Sequence, residues 1–97
     1  MFAVVDHAAA ARAAGLELHD EVLAIFGNPA VGTALMQQDP ASGIDLPLKL
    51  LIWDDHGTTR IGYLPPLELA NRYDLEPVAP VLDKLNQFMV NLSHSAA

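Results

Sequence analysis

Ninety-seven residues with 12 acids, five Lys and Arg, and a formal charge of −7 leave room for one folded domain and little means of gripping polyanions. Phosphate backbones are bound by clustered cations, whereas Arg12, Lys49, Arg60, Arg72 and Lys84 are scattered, so neither nucleic acid nor an anionic membrane surface is an expected partner. The absence of Cys removes disulfides, thiol nucleophiles and Cys-based zinc sites together.

Residues 1–97 are expected to form a single domain. A hydrophobic share of 52% is ample for a core, and an apolar excess in so small a chain is often covered by another chain. A homodimer is therefore expected, two-fold pairs being the commonest oligomers. The apolar run Met1–Val5 is too short for a signal-peptide core and has no basic residues before it. No apolar stretch approaches the ~18 residues of a membrane span. These points predict a cytoplasmic protein.

Phe2–Val5 reads as a short strand. Asp6 can cap an Ala-rich helix, His7 to Ala14, that ends at Gly15. Ala at 8, 9, 10, 11, 13 and 14 makes a nearly smooth cylinder, able to approach a sheet closely but dependent on its neighbours for stability. Glu21–Phe26 is the second strand, with Val22, Ala24 and Phe26 on one face and Leu23 and Ile25 on the other. Both faces are apolar, as suits a central strand. Asn28 and Pro29 suit the N-cap and first position of a helix through Gln38, with Val31, Ala34 and Leu35 inward. Asp39-Pro40-Ala41-Ser42-Gly43 reads as a loop.

Residues 46–64 carry the sharpest pattern. Leu46, Leu48, Leu50 and Ile52 alternate with Pro47, Lys49, Leu51 and Trp53, Asp54 to Gly57 supply a tight turn, and Thr59–Leu64 returns. A two-residue His56-Gly57 loop places Ile52 opposite Ile61, Leu50 opposite Tyr63, Trp53 opposite Arg60 and Leu51 opposite Gly62. One face is then a core stripe of Leu48, Leu50, Ile52, Ile61 and Tyr63. The other mixes Lys49, Leu51, Trp53, Arg60, Gly62 and Leu64. Pro65-Pro66 opens a short helix through Arg72. After Pro77, Val78, Val81, Leu82, Leu85, Phe88, Met89 and Leu92 recur at helical spacing, with fraying expected over Ser93–Ala97. The sum predicts an α+β fold: a two-layer sandwich of a mainly antiparallel sheet of about four strands with helices packed on it.

Asp6-His7-Ala8-Ala9-Ala10-Ala11, Gly15-Leu16-Glu17-Leu18, Phe26-Gly27-Asn28-Pro29, Gly32-Thr33 and Leu46-Pro47-Leu48-Lys49 followed by Trp53 resemble the domain of unknown function 302 family. The likeness continues through Tyr63, Leu69-Ala70 and Arg72-Tyr73. The resemblance implies a small, dimeric α+β domain of prokaryotes and no established reaction. It also implies a further helix, closed by Gly and a strand, ahead of Asp6-His7. Here the sequence begins inside that strand, so the expectation is either a sandwich short of one helix or another helix or a partner chain in its place.

Four features invite chemistry. Asp6-His7 offers a base and an orienter, but adjacent residues seldom aim at one substrate, and capping explains Asp6 more simply. His7 stays a ligand-facing candidate, and His7 with Asp6 or His19 is the alternative reading as a small hydrolase or isomerase. The four His, at 7, 19, 56 and 94, lack the spacing of a metal site, so no metal or cofactor is expected. Asn28, Gly32 and Thr33 resemble an anion-binding turn, although an ordinary strand-to-helix turn needs the same residues. Lys49, Trp53 and Arg60 share one face of the hairpin and suit either a small anionic ligand under the indole or a dimer interface in which Arg60 stacks on Trp53. With no nucleophile motif present, a non-catalytic homodimeric module binding a ligand or protein through that face is the preferred reading.

Overall fold

The computed structural model describes residues 3–96, and Met1 and Phe2 of the expected first strand lie outside them. Four strands, β1 (Ala3–Asp6), β2 (Glu21–Phe26), β3 (Leu48–Asp55) and β4 (Thr58–Gly62), form one sheet in the order β1-β2-β3-β4. Every neighbouring pair is antiparallel, so the sheet is a meander. Helices α1 (His7–Ala13), α2 (Pro29–Gln38), α3 (Leu69–Arg72) and α4 (Ala79–Ala96) complete the fold.

Local chemistry sets these boundaries. Asp6 Oδ1 accepts the Ala9 amide at 2.9 Å and opens α1, while Gly15 takes φ +78° just beyond its end. Asn28 Oδ1 accepts the Ala30 amide at 3.0 Å, with Pro29 as the first residue of α2. The hairpin turns on His56 and Gly57, both at positive φ (53° and 92°), and Asp54 Oδ1 accepts the Gly57 amide at 2.9 Å. Two left-handed residues match the right-handed twist of the flanking strands, so the turn closes at two residues.

Register decides the faces. Ala24 pairs with Leu50, Val22 with Ile52, Phe26 with Leu48 and Ile52 with Ile61, which gathers them on one side. That side receives α4: Leu48, Leu50 and Met89 are buried together, with Leu85 and Leu92 beside them. A second cluster joins Leu35 of α2, Leu69 of α3, Leu82 of α4 and, ahead of α4, Leu75. Each fully buried side chain of this size contributes roughly 1.5–3 kcal/mol, so the amphipathic stripe of α4 is the main fastener of the two layers. Cover is thinner at the β1 end. Val4, on the helix-bearing side, is 52% exposed, and Phe88 of α4 is 48% exposed.

Three boundaries differ from the sequence reading. Asp39–Gly43 is not an open loop, because residues Pro40–Asp45 wind into a 3-10 helix. Asp39 organises it. Its Oδ1 accepts the Ala41 amide at 3.1 Å, its carbonyl accepts the Ser42 hydroxyl at 2.7 Å, and its Oδ2 accepts the Asp74 amide at 2.9 Å. The α4 helix does not fray at Ser93 but runs on to Ala96, with Ser93 and Ser95 donating back to the carbonyls of Val90 and Asn91. The hairpin strands shift toward the turn: β3 starts at Leu48 and includes Asp54 and Asp55, and β4 closes at Gly62, short of Leu64.

Candidate functional site

The outer face of the sheet is built by the residues that alternate with the core. Val5 pairs with Leu23, Leu23 with Leu51 and Leu51 with Gly62, giving one apolar row across all four strands. Ile25 opposite Lys49 lies on one side of that row, and Glu21 opposite Trp53, itself opposite Arg60, lies on the other. Leu23, Ile25, Leu51 and Trp53 are half-buried and belong to neither core cluster. Lys49 and Arg60 are exposed.

Sequence spacing brings Lys49, Trp53 and Arg60 to one face, and side-chain geometry then separates their tasks. The Arg60 Nε donates to Asp55 Oδ2 at 3.1 Å, holding the guanidinium toward the hairpin tip. The indole of Trp53 instead lies over Gly62, where a Cβ would stand 3.2 Å from Cζ3. Lys49 Nζ donates to the Pro47 carbonyl at 3.2 Å, at the opposite end of the strand. The face thus carries Lys49 at one end, Glu21 and the Asp55–Arg60 ion pair at the other, and apolar side chains between.

A polar latch adjoins this end of the sheet. Tyr73 donates its hydroxyl hydrogen to Asp45 Oδ2 at 2.7 Å, and Arg72 Nη1 donates to the same oxygen at 3.2 Å. The Tyr73 hydrogen bond, aided by the Arg72 cation, holds the Asp45 carboxyl below the usual carboxylate value against the opposing effect of desolvation. The same hydrogen bond raises the Tyr73 phenol above its ordinary value. Nothing in the sequence pattern ties residues 45 and 73 together.

The remaining candidates have local partners. Asp6 is occupied in capping α1, and His7 is the first, half-buried residue of that helix. His19 Nε2 lies 2.8 Å from Glu21 Oε1, so its carboxylate partner is Glu21 rather than Asp6. Among the described residues no group of three His, Asp or Glu side chains could hold a metal ion. Asn28 has its carboxamide oxygen on its own helix, and with Gly32 and Thr33 it lines an apolar cavity of about 250 Å³.

That cavity is a feature the sequence reading missed. It lies between α2, the start of β3 and α4, floored by Leu48 and walled by Val31, Met36 and Leu85. A second section of about 510 Å³ continues along α4 past Val81 and Phe88, sharing Gly27, Asn28, Val31, Leu48 and Leu85 with the first. Phe26 and Phe88 meet edge to face at 6.4 Å and form its far wall. Lys84 stands on the rim.

The chain belongs to the family described as Domain of unknown function DUF302, whose profile matches residues 1–92. The crystal structure of an uncharacterized conserved DUF302 protein from Bacillus stearothermophilus superposes with a TM-score of 0.73 over 89% of this chain and 68% of that one. At 20% identity this likeness speaks for the fold alone.

Two longer relatives are also similar. The protein named fluoride-specific ion channel FluC 1 of Brucella suis biovar 1 (strain 1330) is 45% identical over 76 residues, which is 77% of this chain and 30% of that protein. Fluoride-specific ion channel FluC 2 of Brucella melitensis biotype 1 has the same identity over 76 residues, 28% of its length. The chain therefore spans less than a third of these curated relatives. Among the described residues no helix is long and apolar enough to cross a membrane.

Proposed function

We propose that this chain is a non-catalytic cytoplasmic binding module that pairs with a second copy through the outer face of its sheet. The observation that carries the reading is the uncovered row Val5–Leu23–Leu51, flanked by Trp53 and Ile25, on a sheet whose opposite side is packed by α4. Contiguous half-exposed apolar surface of this kind marks an association site. Its ends differ in charge, since Lys49 lies at one end and Glu21 with the Asp55–Arg60 ion pair, one net negative charge, at the other. A two-fold axis running across the strands near Leu51 sets the cation of one copy against the acids of its partner. The acid–base alternative is weaker, because Asp6 serves its helix and His19 serves Glu21.

A second reading concerns the partner. A segment 45% identical recurs as less than a third of proteins named as fluoride-specific ion channels. This favours an accessory role, in which the paired modules bring a binding surface to such a channel rather than forming a pore.

Sedimentation velocity tests self-association. The wild-type chain is expected to sediment as a dimer, and the joint Lys49→Ala and Trp53→Ala variant as a folded monomer with unchanged far-ultraviolet circular dichroism. A monomeric wild type, or a dimer indifferent to the double change, overturns the reading.

A further inference from the structure

We infer that the groove between α2 and α4 is a binding site for a medium-chain alkyl carboxylate, its tail on Leu48 and its head at Lys84. The inference is independent of what covers the outer sheet face, because the groove opens on the helix-bearing side.

Three observations carry it. Of the two connected sections, about 250 and 510 Å³, the larger falls by itself in the range of small-molecule pockets, roughly 300–1,000 Å³, and the smaller extends it. Their walls are aliphatic and aromatic: Val31 and Met36 from α2, Leu85 and Phe88 from α4. The open section follows α4 from Val81 to Phe88, roughly 10 Å at the helical rise, with Lys84 at its middle, so a tail that starts there runs over Leu48 and Leu85 into the section walled by Met36.

Charge then selects the head group. The chain has 12 acids, yet none lines either section. Lys84, one of only five Lys and Arg, is the single charged side chain that does. Among the described residues it makes no ion pair. The carboxamide oxygen of Asn28 accepts the Ala30 amide, so its Nδ2 is left as a neutral donor beside the Lys84 ammonium, the one cation of the lining. An anion at the end of an apolar chain meets both demands. A flexible four-carbon stem lets the ammonium follow the head group while its methylenes cover the tail.

Isothermal titration with decanoate below its micelle concentration tests this, with decanol as the uncharged tail and butyrate as the head alone. Decanoate is expected to bind the wild type and butyrate not to. Lys84→Gln should weaken decanoate about fivefold, as befits an exposed ion pair, and leave decanol unchanged. Val31→Trp should abolish binding of both long-chain probes by filling the groove. Gly32→Leu is a second block that keeps the helix, since a Cβ there meets only Met36 Cε at 3.9 Å. The inference is overturned if decanoate does not bind the wild type, or if folded blocked variants bind it undiminished. It also fails if Lys84→Gln weakens decanol as much as decanoate, or if a blocked variant changes the oligomeric state while wild type ignores all three probes.

Discussion

Trp53 and Gly62 face each other diagonally across the β3–β4 hairpin, and the indole occupies the space that a side chain at position 62 would fill. Gly inside a strand ordinarily costs about 0.5–1 kcal/mol relative to Ala, and here its absence of a Cβ lets the ring lie flat on the outer face. Gly62→Ala should therefore leave folding stability nearly unchanged, the gain in strand propensity offsetting the displacement of a half-exposed ring. It should also shift the emission of the chain's one Trp and weaken self-association by sedimentation. Unchanged emission would show that the ring does not depend on Gly62.

Met89 and Leu50 meet where α4 crosses the sheet, at 0% and 1% exposure. Either residue changed to Ala should lower stability by about 2–5 kcal/mol, since the lost transfer energy is joined by a cavity between two rigid elements. Phe88→Ala, on the same helix but 48% exposed, should cost only about 1 kcal/mol, chiefly its edge contact with Phe26. Urea midpoints for the three variants check the ordering.

Asp45 and Tyr73 predict how stability varies with pH. The folded Asp45 carboxyl lies below its ordinary value, so its contribution is present above about pH 4 and is lost as pH falls through the folded value. The folded Tyr73 phenol lies above its ordinary value, so its contribution is present below about pH 10 and is lost as pH rises through the folded value. Denaturant midpoints should show a plateau between these limbs. Tyr73→Phe should lower the plateau, remove this residue's alkaline limb and shrink the acid one. A Tyr73→Phe profile parallel to wild type at every pH would sink this account.

Asp6 is assigned to capping, and an isosteric change separates that role from proton transfer. Asp6→Asn keeps an oxygen for the Ala9 amide and should preserve α1. Asp6→Ala should cost about 0.5–2 kcal/mol and speed amide exchange at the start of α1. A seven-residue helix depends on its cap more than a long one does.

The hairpin register could be read from residues alone because strand alternation and a two-residue turn constrain each other. Ile52 opposite Ile61 and Trp53 opposite Arg60 follow once His56 and Gly57 form the loop. The α4 stripe was equally legible, since Leu82, Leu85 and Met89 repeat within one helix. The 3-10 helix at Pro40–Asp45 was not, for its cap ties it to Asp74 across 35 residues and its composition is that of a turn. The groove escaped for the same reason. Phe26, Val31, Leu48 and Phe88 come from four separate elements, and no local spacing links them. Side-chain direction was also hidden: Arg60 sits opposite Trp53 in register, yet bonds Asp55.

Each strand hydrogen-bonds only to the strand before or after it in the sequence. Strand pairing can then proceed in order as the polypeptide emerges, while the helix that covers the sheet, α4, arrives last. The inner face of the sheet therefore stays open to water until Leu85 and Met89 dock on Leu48 and Leu50, which makes the last segment to be synthesised the one that seals the core.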